Sequence, residues 1–147
     1  MSGAYLPAGL PVPVPARDGL DAPFWAGLRE ERILLQRCTD CRAWQWGPEW
    51  ICHHCHSEAL AFEAVAGRGV IYSYERIWHP VHPALKDHGP YLVVLVAITE
   101  ADDVRLVGNL LGDPLQDVQI GAPLSAVFEH HDDGEPPFTL LQWQRAG

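Results

Sequence analysis

The second half of the chain is written in short apolar runs, each of strand length and each closed by turn residues. Val70-Ile71-Tyr72-Ser73-Tyr74 is rich in β-branched and aromatic residues, which suit a pleated surface, and Gly67-Arg68-Gly69 opens it as a turn or bulge. Tyr91 to Thr99 is the most apolar segment and predicts a central strand. Asp102-Asp103 then turns the chain into Val104 to Leu111, a hairpin. Gly112-Asp113-Pro114 and Gly121-Ala122-Pro123 break it again. Leu124 to Glu129 and Phe138 to Trp143 supply the last strands, separated by a polar loop from His130 to Pro137. Five strands at this spacing predict a small Greek-key barrel of the OB type.

The first third follows other rules. Phe24, Trp25 and Leu28 form an apolar stripe at helical spacing, with Asp21 placed to cap the helix and Pro23 suited to its first turn. Gly27 weakens that helix. Ahead of it, Pro7, Pro11, Pro13 and Pro15 impose an extended conformation, either a solvated tail or an arm laid across a partner. Ile33-Leu34-Leu35-Gln36 predicts a strand running into the first cysteine pair.

All four cysteines come in two Cys-x-x-Cys pairs, Cys38 with Cys41 and Cys52 with Cys55, separated by ten residues. Two such knuckles face to face make a tetrahedron of thiolates, the shell of a closed structural zinc site. The spacer from Arg42 to Ile51 is long enough for a short β-excursion. Disulfides suit a secreted protein, whereas the uncharged, Pro-rich N-terminus carries no secretion signal, so a cytoplasmic protein with reduced thiols is expected. Cys52-His53-His54-Cys55-His56 matches a haem-attachment pattern, which leaves Cys38 and Cys41 idle. A rubredoxin-like iron site uses the same sulfurs, but Arg42 and His56 stand where glycines usually follow rubredoxin knuckles. Zinc is the expected ion, and four sulfurs leave it no open position for catalysis.

Composition narrows the function further. A hydrophobic content of 48% with 20% charged residues is that of a soluble globular protein. The longest apolar run, Leu92 to Ile98, is too short to cross a membrane. Zinc ribbons and OB barrels often bind nucleic acid, yet a net charge of −9 with ten Lys and Arg opposes phosphate binding.

Two stretches remain as candidate chemistry. The spacer holds Trp44, Trp46 and Trp50, expected to divide between shielding the thiolates and meeting a partner. The long loop Trp78 to Pro90 carries His79, His82, His88 and Lys86. Nothing pairs these histidines with a nucleophile, so an interaction loop is expected rather than a catalytic one.

These pieces together resemble the acyl-CoA-associated zinc-ribbon/OB-fold family, long catalogued as a domain of unknown function. The resemblance covers about residues 22–143. It rests on Phe24-Trp25, on Leu35-Gln36-Arg37-Cys38-Thr39-Asp40-Cys41, on Pro48 ahead of Cys52-His53-His54-Cys55, and on Gly67-Arg68-Gly69-Val70-Ile71-Tyr72-Ser73-Tyr74. Val107-Gly108-Asn109-Leu110 and Ile120-Gly121 extend it. Glu49-Trp50 departs from the family, which commonly has Arg after the proline.

The resemblance implies a mainly β protein in three parts: a Pro-rich arm and N-terminal helix (1–32), a rubredoxin-like zinc ribbon (33–62) and a C-terminal five-stranded OB-fold barrel (63–147). It implies structural zinc on Cys38, Cys41, Cys52 and Cys55, and no catalytic residue. It also implies a non-catalytic subunit that pairs with a thiolase-superfamily enzyme, a thiolase or a retro-aldolase of lipid or steroid breakdown. There the chain docks beside the acyl-CoA site, with Arg68, Arg76 and Lys86 as the bases available to CoA phosphates. Partnership with a hotdog-fold enoyl-CoA hydratase and a single-stranded nucleic-acid module are the alternatives.

Overall fold

A computed structural model describes residues 4–147. Helix α1 (Ala22–Arg29) leads into a three-stranded sheet of β1 (Ile33–Cys38), β2 (Trp44–Gln45) and β3 (Leu60–Val65) in the order β2-β1-β3. A five-stranded sheet follows: β4 (Arg68–Ile77), β5 (Tyr91–Ile98), β6 (Val104–Asn109), β7 (Pro123–His131) and β8 (Phe138–Arg145), ordered β6-β5-β4-β7-β8. All of its ladders are antiparallel. The edges β6 and β8 meet where Leu110 bridges Trp143 in parallel and the Leu111 N–H donates to the Trp143 carbonyl. That contact nearly closes the sheet into the OB barrel expected from the sequence. No helix among the described residues is long and apolar enough to cross a membrane.

One apolar core runs through helix, ribbon sheet and barrel. Phe24 and Leu28 of α1 join Ile33 and Leu35 of β1, Trp44 of β2, and barrel residues including Leu92, Val94, Val96 and Trp143. Val94 and Val96 point inward at the two-residue period of a strand, and the run Val96 to Ile98 is buried throughout, but β5 lies second in the sheet and β4, not β5, is its middle strand.

Local details depart from the sequence expectations for identifiable reasons. Asp21 occupies the N-cap but makes no capping bond, because its carboxylate accepts the Trp25 indole N–H at 2.9 Å. Gly27 does not weaken α1 so much as seat it: a Cβ there would lie 2.9 Å from both the Leu34 side chain and the Arg32 carbonyl. Gly67 bends the chain between β3 and β4, the turn expected there, while the bulge falls farther along β4, between Ile71 and Ser73. The bulged Tyr72 lies exposed under the Arg105 guanidinium, 3.6 Å from its ring centre. His130 and His131, expected in a polar loop, extend β7, because they pair with Thr139 and Phe138 of β8. The Pro-rich arm, over its described residues, is laid on the chain's own barrel. The Tyr5 N–H donates to Glu129 Oε1 at 2.6 Å, and the Tyr5 hydroxyl accepts the Leu92 N–H at 3.2 Å.

Candidate metal centre

The two Cys-x-x-Cys segments fold as near copies of each other. The Cys38 N–H donates to the Ala43 carbonyl at 2.9 Å, and the Cys52 N–H to the Ser57 carbonyl at 2.8 Å. The Arg42 N–H returns to the Cys38 carbonyl, and the His56 N–H to the Cys52 carbonyl. Each turn ends on a left-handed residue, Arg42 at φ 66° and His56 at φ 63°. Glycine usually fills such a position. The missing glycines that separated this sequence from rubredoxin knuckles therefore left the knuckle backbone unchanged.

The knuckles bring all four sulfurs within 4.8 Å of one another. Cys38 and Cys55 stand 3.6 Å apart, as do Cys41 and Cys52. Sulfurs around a tetrahedral zinc with bonds of about 2.3 Å lie about 3.8 Å apart, so this set fits the ion. None of the four cysteines is tied in a disulfide. Backbone N–H groups already point at the sulfurs: Cys41 at Cys38, and His54 and Cys55 at Cys52.

The thiols divide into acceptors and donors. The Cys55 N–H, with that of His54, outweighs burial and brings Cys52 down to about 6, and the Cys41 N–H acts similarly to lower Cys38. At Cys41 the Ala43 N–H pulls down, but burial and the bonds to the other three sulfurs win and push the thiol up to about 12. Cys55 is raised as well: the Ser57 N–H and the bond to Cys41 pull it down, but burial and the bonds to Cys38 and Cys52 outweigh them. A bound zinc would take all four as thiolates and cross-link the two knuckles, leaving no coordination position for water.

Sequence reasoning passed over the residues that hold this centre in place. Gln36 and Gln45 are buried and joined through Gln45 Nε2 and Gln36 Oε1 at 2.6 Å. Gln36 also pins Glu49, donating to its carbonyl and accepting its N–H. Gln45 Oε1 accepts the His53 N–H at 3.0 Å, fixing the second knuckle. The available signal was a glutamine interrupting the apolar run of β1 and another set between Trp44 and Trp46. On the other side Glu63 receives Arg42 and Arg37, which lower its pKa, the Arg42 hydrogen bond foremost.

The tryptophans divide between core and surface, with Trp44 in the shared apolar core and Trp46 packed against it. Trp44 is buried with Arg37 over its ring, Trp46 packs on Phe24, and Trp50 is 76% exposed beside the exposed Ile51. The structure does not gather the proposed CoA bases. Arg68 and Arg76 begin and nearly end β4, about 26 Å apart at 3.3 Å per residue. Arg76 donates to the Pro114 and Gln116 carbonyls, while Lys86 is exposed on the long loop. In that loop His82 Nδ1 accepts the Ala84 N–H and begins a single 3-10 turn. Among the described residues, His79, His82 and His88 form no metal-ligating group.

Comparison with known proteins accords with this geometry. Residues 25–61 match the family described as the ChsH2 rubredoxin-like zinc ribbon domain, and residues 62–129 the ChsH2 C-terminal OB-fold domain. A DUF35 domain-containing scaffold protein of Methanocaldococcus jannaschii is 30% identical over 80% of this chain and 86% of its own. A probable enoyl-CoA hydratase alpha subunit of Thermomonospora curvata is 37% identical over 76% of this chain but only 34% of its own length. The 3-oxo-4,17-pregnadiene-20-carboxyl-CoA hydratase alpha subunit of Mycobacterium tuberculosis is 28% identical over 95% of this chain and 46% of its own. The chain thus spans between a third and a half of those two relatives. Among solved structures, a chain of the Ltp2-ChsH2(DUF35) aldolase superimposes with a TM-score of 0.76 at 32% identity, over 91% of this chain and 100% of that one. A DUF35-family protein of Sulfolobus solfataricus shares the fold, with a TM-score of 0.56 at 17% identity.

Proposed function

The chain belongs to the ChsH2/DUF35 family of zinc-ribbon and OB-fold proteins, and from that premise we propose that it is a non-catalytic subunit of an acyl-CoA enzyme. The enzyme it accompanies is a thiolase-superfamily aldolase or thiolase, which forms or cleaves a carbon–carbon bond. One observation carries this reading: the match to a chain of an aldolase complex, which covers that chain entirely. The physical picture supports it. The four cysteines are committed to a closed metal shell, leaving no thiol for acyl transfer. A metal on the four sulfurs would lock the two knuckles of the ribbon together, and the exposed Trp50 and Ile51 offer an apolar edge of the kind that anchors protein interfaces. Trp78 and Val81 of the long loop, 56% and 99% exposed, are a further pair of apolar side chains open to a partner. Arg68 and Lys86 are exposed, but Arg68 opens β4 and Lys86 lies beyond its other end, so CoA phosphates at the edge of such an assembly would meet one of them and not both.

A second reading is partnership with a hotdog-fold enoyl-CoA hydratase, favoured by the two relatives that are hydratase alpha subunits. A tagged copy of the chain expressed in its native host distinguishes the two. Capture of a thiolase-like enzyme, with retro-aldol or thiolase activity only in the complex, is the result expected. Capture of a hotdog enzyme with hydratase activity moves the assignment to the second reading. Carbon–carbon bond cleavage by the chain alone overturns both.

A further inference from the structure

The N-terminal arm encloses a space that neither the metal centre nor the proposed docking edge uses. Residues 4–13 cross β7 and β8 and wall off a cleft of about 590 Å³. That volume lies within the range of sites for drug-sized molecules. Leu6, Leu10 and Val12 of the arm face Leu85, Phe138 and Leu140 across it.

The polar side of the cleft is a closed network. Glu129, only 4% exposed, accepts the Tyr5 N–H and Gln142 Nε2 on Oε1, and His131 Nε2 on Oε2. Gln142, equally buried, exchanges hydrogen bonds with Asn109 through its side-chain oxygen and nitrogen. His131 stacks on Phe138, and His130 is held by Thr139 and Glu31. Every one of these groups already has a partner within the protein. The lining contains the carboxyl groups of Glu129 and Asp133 but no lysine or arginine, and its two histidines are already turned to carboxylates, His131 to Glu129 and His130 to Glu31. An anionic headgroup entering the cleft would lose water and find no counter-charge.

We propose that this cleft binds an uncharged, mainly apolar small molecule, a hydrocarbon chain or fused-ring body bearing at most hydroxyl or carbonyl groups, with the N-terminal arm as its outer wall. The site holds the apolar body of a ligand and excludes phosphates and carboxylates. It does not depend on which enzyme the chain accompanies.

Titration of the full chain with Nile red, an uncharged dye, tests this. Saturable binding at one site per chain is expected, with 1-decanol displacing the dye and decanoate about tenfold weaker or worse, since it carries an unpaired charge into the cleft. L140W fills the cleft from β8 and should weaken dye binding by about tenfold or more, the loss of roughly 1.4 kcal/mol. L10W enlarges a half-buried arm side chain that lines the cleft and leaves every barrel strand unchanged, so it decides the matter if L140W fails to fold. Non-saturable dye binding, equal displacement by decanol and decanoate, or undiminished binding in a folded L10W protein overturns the proposal.

Discussion

Asp102 Oδ2 accepts the Trp44 backbone N–H at 3.0 Å, joining the turn between β5 and β6 to strand β2 of the ribbon. Asp102 and Asp103 both take the left-handed conformation, at φ 54° and 56°, which aspartate tolerates better than most residues. Asp102 thus turns the barrel hairpin and closes an open backbone donor in the metal module. Asp102→Ala, which loses both roles, should destabilise the protein by about 1–2 kcal/mol in urea unfolding. Asp102→Asn keeps an acceptor oxygen and the same backbone preference, and should restore most of that loss.

Removing the metal should unfold the ribbon first. The knuckles are loops stitched by few backbone bonds, so the cross-link through an ion on the four sulfurs is what fixes them against each other. A strong chelator should therefore expose Trp44 and Trp46, read as a red shift in tryptophan emission, while the barrel strands keep their far-ultraviolet signal. Cys52→Ser should reproduce this state, with sub-stoichiometric zinc by elemental analysis.

His56 supplies a left-handed residue where glycine has no steric penalty. His56→Gly should stabilise the metal-loaded protein by about 1 kcal/mol, seen as a higher unfolding midpoint. The equivalent change at Arg42 should gain less, because it also removes an ion pair to Glu63.

Inside the barrel, a Cβ built on Gly108 would lie 2.8 Å from Trp143 Cδ1 and 2.7 Å from the Leu141 carbonyl. Trp143 is fully buried at the β6–β8 closure and has little room to retreat. Gly108→Ala should cost about 1–3 kcal/mol by overpacking. Loss of the near-ultraviolet tryptophan signal before global unfolding would locate the damage at that seam.

At the docking edge, Trp50→Ala removes a ring that is 76% exposed and contributes little to the fold. Stability should change by less than about 0.5 kcal/mol. Affinity for the partner enzyme should fall by about 2 kcal/mol or more, measured by calorimetry on the purified pair.

Much of this protein could be read without coordinates. Four cysteines in two Cys-x-x-Cys pairs point to a shared metal site, because two such knuckles face to face complete a tetrahedron of sulfurs. The five β-rich runs, punctuated by glycine, proline and paired aspartates, had little choice but a small barrel. Both signals are local: spacing along the chain carries the chemistry. What the fold alone decided are the long-range matters. That Arg42 and His56 would accept a glycine's backbone, that Gln36 and Gln45 would bury their amides to brace the second knuckle, and that the arm would bend back over Glu129 all depend on partners brought together only by folding. A side chain's hydrogen-bonding capacity is written in the sequence, but the group that satisfies it is chosen by tertiary packing.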